Sequence, residues 1–481
     1  MTRNDTPTAL QYFDIETLLR DLPRGERWLQ HLKEDLLPFW SQPTALGNPV
    51  GNFPTYRNND GSLVDPDHLK PEFKHLIDGI VFLDRDHVRA KSRQCFAYGV
   101  AYHMTGDETY LDHAKAGVDY LLKHAVDRVN GGAFSYFSAK DGTPGPEHSY
   151  RTSQDLAYCL AGPGFLYYLT RDPQLLQENL TIHDHIWLTY YDSGADMFRW
   201  VLEDSPDGDS RNQLELVAQL DQVYGYMMLL TPCLPEEHQV VWKERLIKLA
   251  HIMMDRFYSP RTEMFWGSVT RTADKRWSTP HTDFGHSVKT FWLISLIGSI
   301  TGDYEMFVSA QRRAGQIVDL AYLKDSGSWA RRFKPDGTLD DDKEWWIHCE
   351  LDQVAGALAL NDPAYLRYVV RTYDYWFKYF VDHKDKEIWP MLSGATNQPV
   401  EGIPKQHSWK NALHSFEHAL IGYIFACELH GEPAELHFAW QEEPRKRTVC
   451  PYFYQATVEK IDETTTSGGA KRQKVSFTTI H

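Results

Sequence analysis

Residues 281–289, His-Thr-Asp-Phe-Gly-His-Ser-Val-Lys, set two imidazoles, a carboxylate and an ammonium within nine positions of one another. The stretch runs into Phe291, Trp292, Leu293, Ile294, Leu296 and Ile297, an apolar series with the composition of a buried helix. Two further histidines lie in equally apolar surroundings, His348 in EWWIHCELDQ and His414 in SWKNALHSFEHAL. A single buried histidine is most often a hydrogen-bonded core group, and Asp283 by itself reads as a helix N-cap. Three such histidines on alternate helices suggest proton transfer instead, because an imidazole with an ordinary pKa of about 6.5 exchanges protons at neutral pH. His281, Asp283 and His286 are spaced so that all three do not share one helical face, and no metal site is expected there. The sequence has no Gly-rich phosphate loop and no GxSxG turn, and LAGPGF interrupts a helix rather than following a strand.

Tryptophans accompany these histidines. Trp345 and Trp346 precede His348, and Trp409 precedes Lys410 and His414. Indole faces stack on the C–H faces of pyranose rings while nearby carboxylates, amides and guanidinium groups bond hydroxyls, so a mono- or disaccharide is the expected ligand. Packing between helices accounts for part of this aromatic content.

The elements that must carry these groups are helical. Helical periodicity predicts twelve helices, near 25–42, 87–106, 108–127, 151–171, 174–192, 213–231, 236–258, 284–301, 304–322, 343–361, 363–381 and 409–430. Short aromatic segments rich in Gly, Asp and Asn separate successive pairs and read as hairpins. Phe134, Phe198, Phe265, Trp329 and Trp389 fall at comparable points of these segments, spaced 64, 67, 64 and 60 residues apart. This is a repeat of two helices and a hairpin. The expected fold is therefore all-α, an (α/α)6 barrel: a toroid of twelve helices with short β-hairpins between the pairs. Every second helix carries polar groups in an apolar face (Arg93, Gln154 and Asp155, Gln219, His286, His348 and Glu350, His414), as an inner ring around a cavity would. A catalytic domain is predicted over 20–435, followed by a 440–481 extension that forms a β-hairpin or a mobile tail.

Composition narrows the classes. A net charge of −16 disfavours nucleic acid and anionic membrane surfaces as partners. The six cysteines are scattered without a CxxC pair, and the first ten residues lack the apolar run of a leader, so a soluble cytoplasmic protein is expected, with a homodimer left open.

The segments RQCFAYGVAY, FGHSVKTFWLI, EWWIHCELDQVAGAL and SWKNALHSFEHAL resemble the N-acylglucosamine 2-epimerase superfamily over about residues 25–435. That superfamily includes cellobiose 2-epimerases, mannose isomerase and sulfoquinovose isomerase. The resemblance implies the (α/α)6 barrel, His286 and His414 as acid/base catalysts, Arg93 on substrate hydroxyls, and Trp346, His348 and Glu350 as cleft positions on the tenth helix. Gln219 stands where the family's sixth helix usually carries histidine, and Trp409 joins the substrate-binding set. Lys289 and Glu417, each one turn after a catalytic histidine, replace an acidic and a basic residue respectively. They are expected to pair with one another beneath the histidines, with Asp283 as a further supporting group.

The chemistry implied is removal of the C2 proton from an open-chain aldose through a cis-enediolate. The products are the 2-epimer or the ketose, and no cofactor or metal is required. Two rival readings are an inverting glycoside hydrolase using Asp283 and Glu350, and a non-catalytic sugar- or partner-binding toroid.

Overall fold

A computed structural model describes residues 14–74, 82–445 and 448–481 of the chain. Residues 1–10, read in the sequence for an apolar leader run, lie outside the described residues.

Among the described residues there are twelve long helices. After a short leading helix, Ile15–Asp21, they are α1 (25–40), α2 Val88–Thr105, α3 Glu108–His124, α4 (153–170) and α5 Pro173–Tyr190. Then come α6 (216–230), α7 (236–257), α8 Phe284–Thr301, α9 Tyr304–Ala321, α10 Trp345–Asn361, α11 (363–380) and α12 Leu413–Leu429. The even-numbered helices are buried on nearly every face. They touch in the cyclic order α2–α4–α6–α8–α10–α12–α2, which closes the inner ring, and each odd helix packs outside. Amphipathic α3 and α9 show why: their apolar stripes face the ring and their charged faces meet water.

The hairpins repeat to the residue. Tyr191 pairs with Phe198, Tyr258 with Phe265 and Tyr322 with Trp329. Single bridges, Val126 to Ala133 and Val381 to Ile388, stand just before Phe134 and Trp389. Two residues before each of these five aromatics the backbone is left-handed, at Gly132, Asp196, Glu263, Gly327 and Glu387. Three of the five are thus side-chain-bearing residues in a region that favours glycine, so the turn geometry is imposed by the repeat rather than by local preference.

Residues 457–465 and 471–478 pair as a hairpin, and its second strand also pairs with Ala434–Phe438. The result is a three-stranded sheet packed against α2 and α12, the Tyr102 hydroxyl donating to the Phe438 carbonyl at 2.9 Å. The C-terminal segment is therefore tied to the barrel by backbone pairing.

Close helix approach is set by small residues. At Gly422 of α12, a Cβ atom would lie 2.4 Å from the fully buried Trp28 indole of α1. Gly422→Ala is expected to destabilise the fold by about 1–3 kcal/mol, read as a lower midpoint in denaturant unfolding with an unchanged m-value.

Candidate active site

The six inner helices all direct their N-terminal ends to one side of the barrel. A cavity of about 750 Å³ opens there, lined from the first two turns of each: Arg93 on α2, Gln154 and Tyr158 on α4, Asp221 on α6, His286 and Lys289 on α8, Trp345 and Trp346 on α10, and His414 on α12. Loop residues His281, Asp283, Arg331, Arg332, Glu344, His407 and Trp409 complete the wall. Six helix N-termini around one cavity add a positive field favourable to an anionic intermediate.

His286 is held by its own helix cap. Asp283 accepts the His286 backbone N–H through Oδ1 and faces Nδ1 through Oδ2, both at 2.7 Å. The carboxylate accepts a hydrogen bond from Nδ1–H, which keeps that proton on Nδ1 and leaves the Nε2 lone pair open. Burial draws the pKa of His286 below its ordinary value against the pull of Asp283, while Asp283 itself is held low by His286 despite burial. The edge of the imidazole meets the Trp346 ring, centroids 4.5 Å apart, and Trp346 is anchored by its Nε1–H to Glu344 at 2.8 Å.

His414 has the opposite arrangement. Arg93, which can only donate, bonds its Nε2 at 2.9 Å, so the proton sits on Nδ1. Nδ1 faces Glu350 Oε1 and the Tyr224 hydroxyl, each at 3.4 Å, and Glu417 Oε2 at 3.9 Å. Burial, Lys289, Arg93 and Lys410 hold its pKa well below the ordinary value, so the imidazole is neutral. Arg93 also bonds the Trp409 carbonyl at 2.8 Å, while its Nε–H has no partner. The indole of Trp409 is clamped by Arg89, whose guanidinium lies 3.6 Å over the ring and bonds Asp155 at 2.7 Å.

Four sequence expectations are corrected, those for Gln219, His348, the Lys289–Glu417 pair and Glu350. Gln219 does not reach the cavity: it is fully buried and both ends of its amide bond the backbone of Phe198, bracing a hairpin. Asp221, two residues later, lines the wall instead and accepts from Gln154 Nε2 at 2.6 Å. His348 points outward from α10, stacking on Tyr375 and Trp376 of α11 and bonding the Thr372 carbonyl at 3.3 Å. It is a core group, as the bland reading of a buried histidine holds. Lys289 does not pair with Glu417. Its ammonium bonds Glu350 Oε1 at 2.6 Å and sits 3.8 Å over the Tyr224 ring, and Glu417 is satisfied by the Tyr224 and Tyr452 hydroxyls, both at 2.5 Å. The reason is phase. Lys289 and Glu350 are each the sixth residue of neighbouring inner helices, so they meet at one level of the axis.

Glu350, fully buried, lies behind His414 rather than on the cavity wall. Burial raises its proton affinity, Lys289 opposes this, and Glu417 adds to it. The donor atoms of Glu350, His414 and Glu417 lie within 4.8 Å of one another, and the positive charge beside them is the Lys289 ammonium. Tyr158, Tyr224, Asp221 and Glu344 were not singled out in the sequence. Tyr224 lies within a π turn in α6, Val223–Met227, which breaks the helical period used to assign faces.

Because the Lys289–Glu350 pair is shielded from water, Lys289→Met is expected to cost roughly 3–5 kcal/mol by leaving Glu350 unpaired. Lys289→Met with Glu350→Leu should recover most of that loss, as measured by urea unfolding in a double-mutant cycle.

No family model matches the chain. A cellobiose 2-epimerase from Eubacterium cellulosolvens is 22% identical over 353 residues, covering 68% of this chain and 80% of the relative. Among solved structures, the cellobiose 2-epimerase of Bacillus thermoamylovorans superposes with a TM-score of 0.67 at 17% identity, covering 83% of this chain and 98% of its own. A D-mannose isomerase superposes at 0.65 and 16% identity, covering 86% and 99%. A family 76 glycoside hydrolase from a Bacteroides thetaiotaomicron strain shares the barrel more distantly, at a TM-score of 0.53 and 13% identity over 86% and 78% of the chains. The barrel is thus common to proteins of different chemistry, and the chain is similar in sequence to a cellobiose 2-epimerase and in fold to a cellobiose 2-epimerase and a D-mannose isomerase.

Proposed function

We propose that the protein is an isomerase of sugars, moving a proton at C2 of an open-chain aldose to give the 2-epimer or the ketose. One observation carries this reading: His286 and His414 border the same cavity, both against the Trp346 ring with centroids 4.5 and 6.1 Å from it, each with its tautomer set by a neighbour. The curated relative and two of the structural neighbours bear epimerase or isomerase names, which supports the same class.

In this mechanism a histidine first assists opening of the hemiacetal. His414, neutral and among cations, then takes the C2 proton. The C2–H electron pair becomes the C1=C2 bond, and the carbonyl π pair moves to O1. Arg93 shifts from His414 Nε2 to the sugar oxygens, freeing the base as substrate arrives and stabilising the O1 charge. His286, which takes up a proton at Nε2 from solvent and is supported in that form by Asp283, gives it to C2 from the opposite face, yielding the epimer. Return to C1 on the original face, with the O2 hydroxyl proton passing to O1, gives the ketose. Trp346 and Trp409 supply stacking faces for the sugar.

The hydrolase reading loses its carboxylates. Asp283 is engaged by His286, and Glu350 is buried behind His414.

Incubating the protein with mannose, glucose, N-acetylglucosamine and cellobiose in deuterated water tests the reaction class. Deuterium is expected at C2 of one or more of them by NMR, with the glycosidic bond of cellobiose intact. Release of glucose, or recovery of every sugar unlabelled, would overturn the reading. His286→Asn and His414→Asn should each lower exchange by roughly 10²–10⁴ with a melting temperature close to that of the parent.

Asp283→Asn separates capping from catalysis. Asparagine still caps α8, so stability should hold, but the anion beside His286 is lost and kcat should fall by about 10²-fold. The pH profile follows from the depressed pKa of His414. Lowering the pKa of a base extends its neutral form to more acid pH, so the acid limb of kcat/KM should lie below pH ~6.5, the ordinary imidazole value.

A further inference from the structure

The barrel end opposite the cavity is filled by the C-terminal segment. Pro451, Tyr452, Phe453 and Tyr454 are all buried, although they precede the terminal hairpin rather than belong to any barrel helix. Their rings meet four inner helices. Tyr452 lies against Phe96 of α2 and Phe165 of α4, Phe453 against Trp292 of α8, and Tyr454 against Phe425 of α12, with centroids 4.9–6.3 Å apart. Tyr452 and Phe453 stack on one another at 3.9 Å. The backbone is pinned from α4: the Tyr168 hydroxyl donates to the Cys450 carbonyl at 2.7 Å and accepts the Tyr452 N–H at 3.0 Å. Tyr452 has a left-handed backbone, φ 60°, at this point. That turn sends its side chain up the barrel axis to the Glu417 carboxylate.

We propose that Tyr452 is a positioning residue for the proton-transfer site, delivered from the C-terminal segment through the closed end of the barrel. The proposal rests on the sugar-isomerase reading. Glu417 has two oxygens and two phenolic donors: Tyr224 on Oε2, the oxygen nearer His414, and Tyr452 on Oε1. A carboxylate with both oxygens bonded cannot rotate, so its Oε2 stays 3.9 Å from His414 Nδ1 and Tyr224 stays within 3.4 Å of the same nitrogen. Glu417 is surrounded besides by Lys289, Glu350 and Gln353, and burial favours its neutral form, against which the two phenols act. Loss of the Tyr452 hydroxyl therefore releases the orientation of Glu417 and weakens its negative charge, both felt at the base. The aromatic plug could be built from phenylalanine alone; only the hydroxyl reaches Glu417.

The test uses the full chain with Tyr452→Phe, which keeps the ring, and Tyr454→Phe as a control in the same segment. Tyr452→Phe is expected to lower kcat for C2 exchange about tenfold with KM within about twofold. It should also move the ¹⁵N shift of His414 Nδ1 in histidine-labelled protein, while Tyr454→Phe changes neither. In a Glu417→Gln background, Tyr452→Phe should add no further loss, since the two act in series. Wild-type kcat and an unmoved His414 signal in Tyr452→Phe would overturn the proposal, as would losses that simply multiply with Glu417→Gln. If the unmodified protein places no deuterium at C2 of any sugar, the isomerase reading fails, and the His414 signal then decides by itself whether Tyr452 acts on it.

Discussion

An ammonium closed off from water needs a counter-ion at hydrogen-bond range, and Lys289 meets that need through Glu350 at 2.6 Å across the α8–α10 contact. Much of the barrel axis follows from this pair. Arg93, Tyr158, Asp221, Lys289 and Glu350 are each the sixth residue of an inner helix, and together they form a polar layer across the bore. Arg93 lies 4.6 Å over the Tyr158 ring, and Tyr158 bonds Asp221 at 3.3 Å. A layer of this kind is stable only if each charge has a partner, since a buried group left alone costs several kcal/mol. His414 sits between the Lys289–Glu350 pair and Arg93, and burial together with these cations holds its pKa well below the ordinary value.

Above the layer lies the cavity, and below it the aromatic plug. The arrangement separates three tasks along one axis. Trp346, Trp409, Arg93 and the two histidines face the cavity; the charged layer sets the local field; Tyr452, Phe453 and Tyr454 close the barrel beneath. Excluding water matters electrostatically, because the same Lys289 charge acts more strongly on His414 in a dry surround than in a wet one. The outer helices and hairpins hold the ring in register. Glu387, at the left-handed position of its hairpin, reaches inward to Lys410 at 2.6 Å and to Trp40 at 2.6 Å, linking the last hairpin to α1 and to the loop before α12.

His286 and His414 are chemically alike in sequence but distinct in surroundings. One has an anion on Nδ1, the other a guanidinium on Nε2. Burial lowers the pKa of both, but Asp283 opposes the fall at His286 whereas Lys289 and Arg93 deepen it at His414, so the two imidazoles differ in basicity. The reversed charges at Lys289 and Glu417, relative to the superfamily pattern, do not cancel against one another; each finds a separate partner, Lys289 in Glu350 and Glu417 in two tyrosines.

The sequence by itself determined the architecture. Helical period, the 60–67-residue spacing of Phe134 through Trp389 and the alternation of polar and charged helix faces require a closed ring of helix pairs, because such signals are local and repeat six times. It also marked His286 and His414, since a titratable group at the start of an apolar helix is conspicuous. Tertiary structure decided the pairings. His348 looked the same as His414 in sequence, yet a rotation of about 200° between positions 348 and 350 on α10 turns it to α11 and leaves Glu350 on the axis. Gln219 and Asp221 differ by the same two residues, and only the second faces the bore. Tyr452 lies 35 residues from Glu417 along the chain, in a segment without helical period, and its contact depends on the fold of the terminal sheet. Which partner satisfies a buried charge is set by helix phase and by level along the axis, and neither quantity is carried by local pattern.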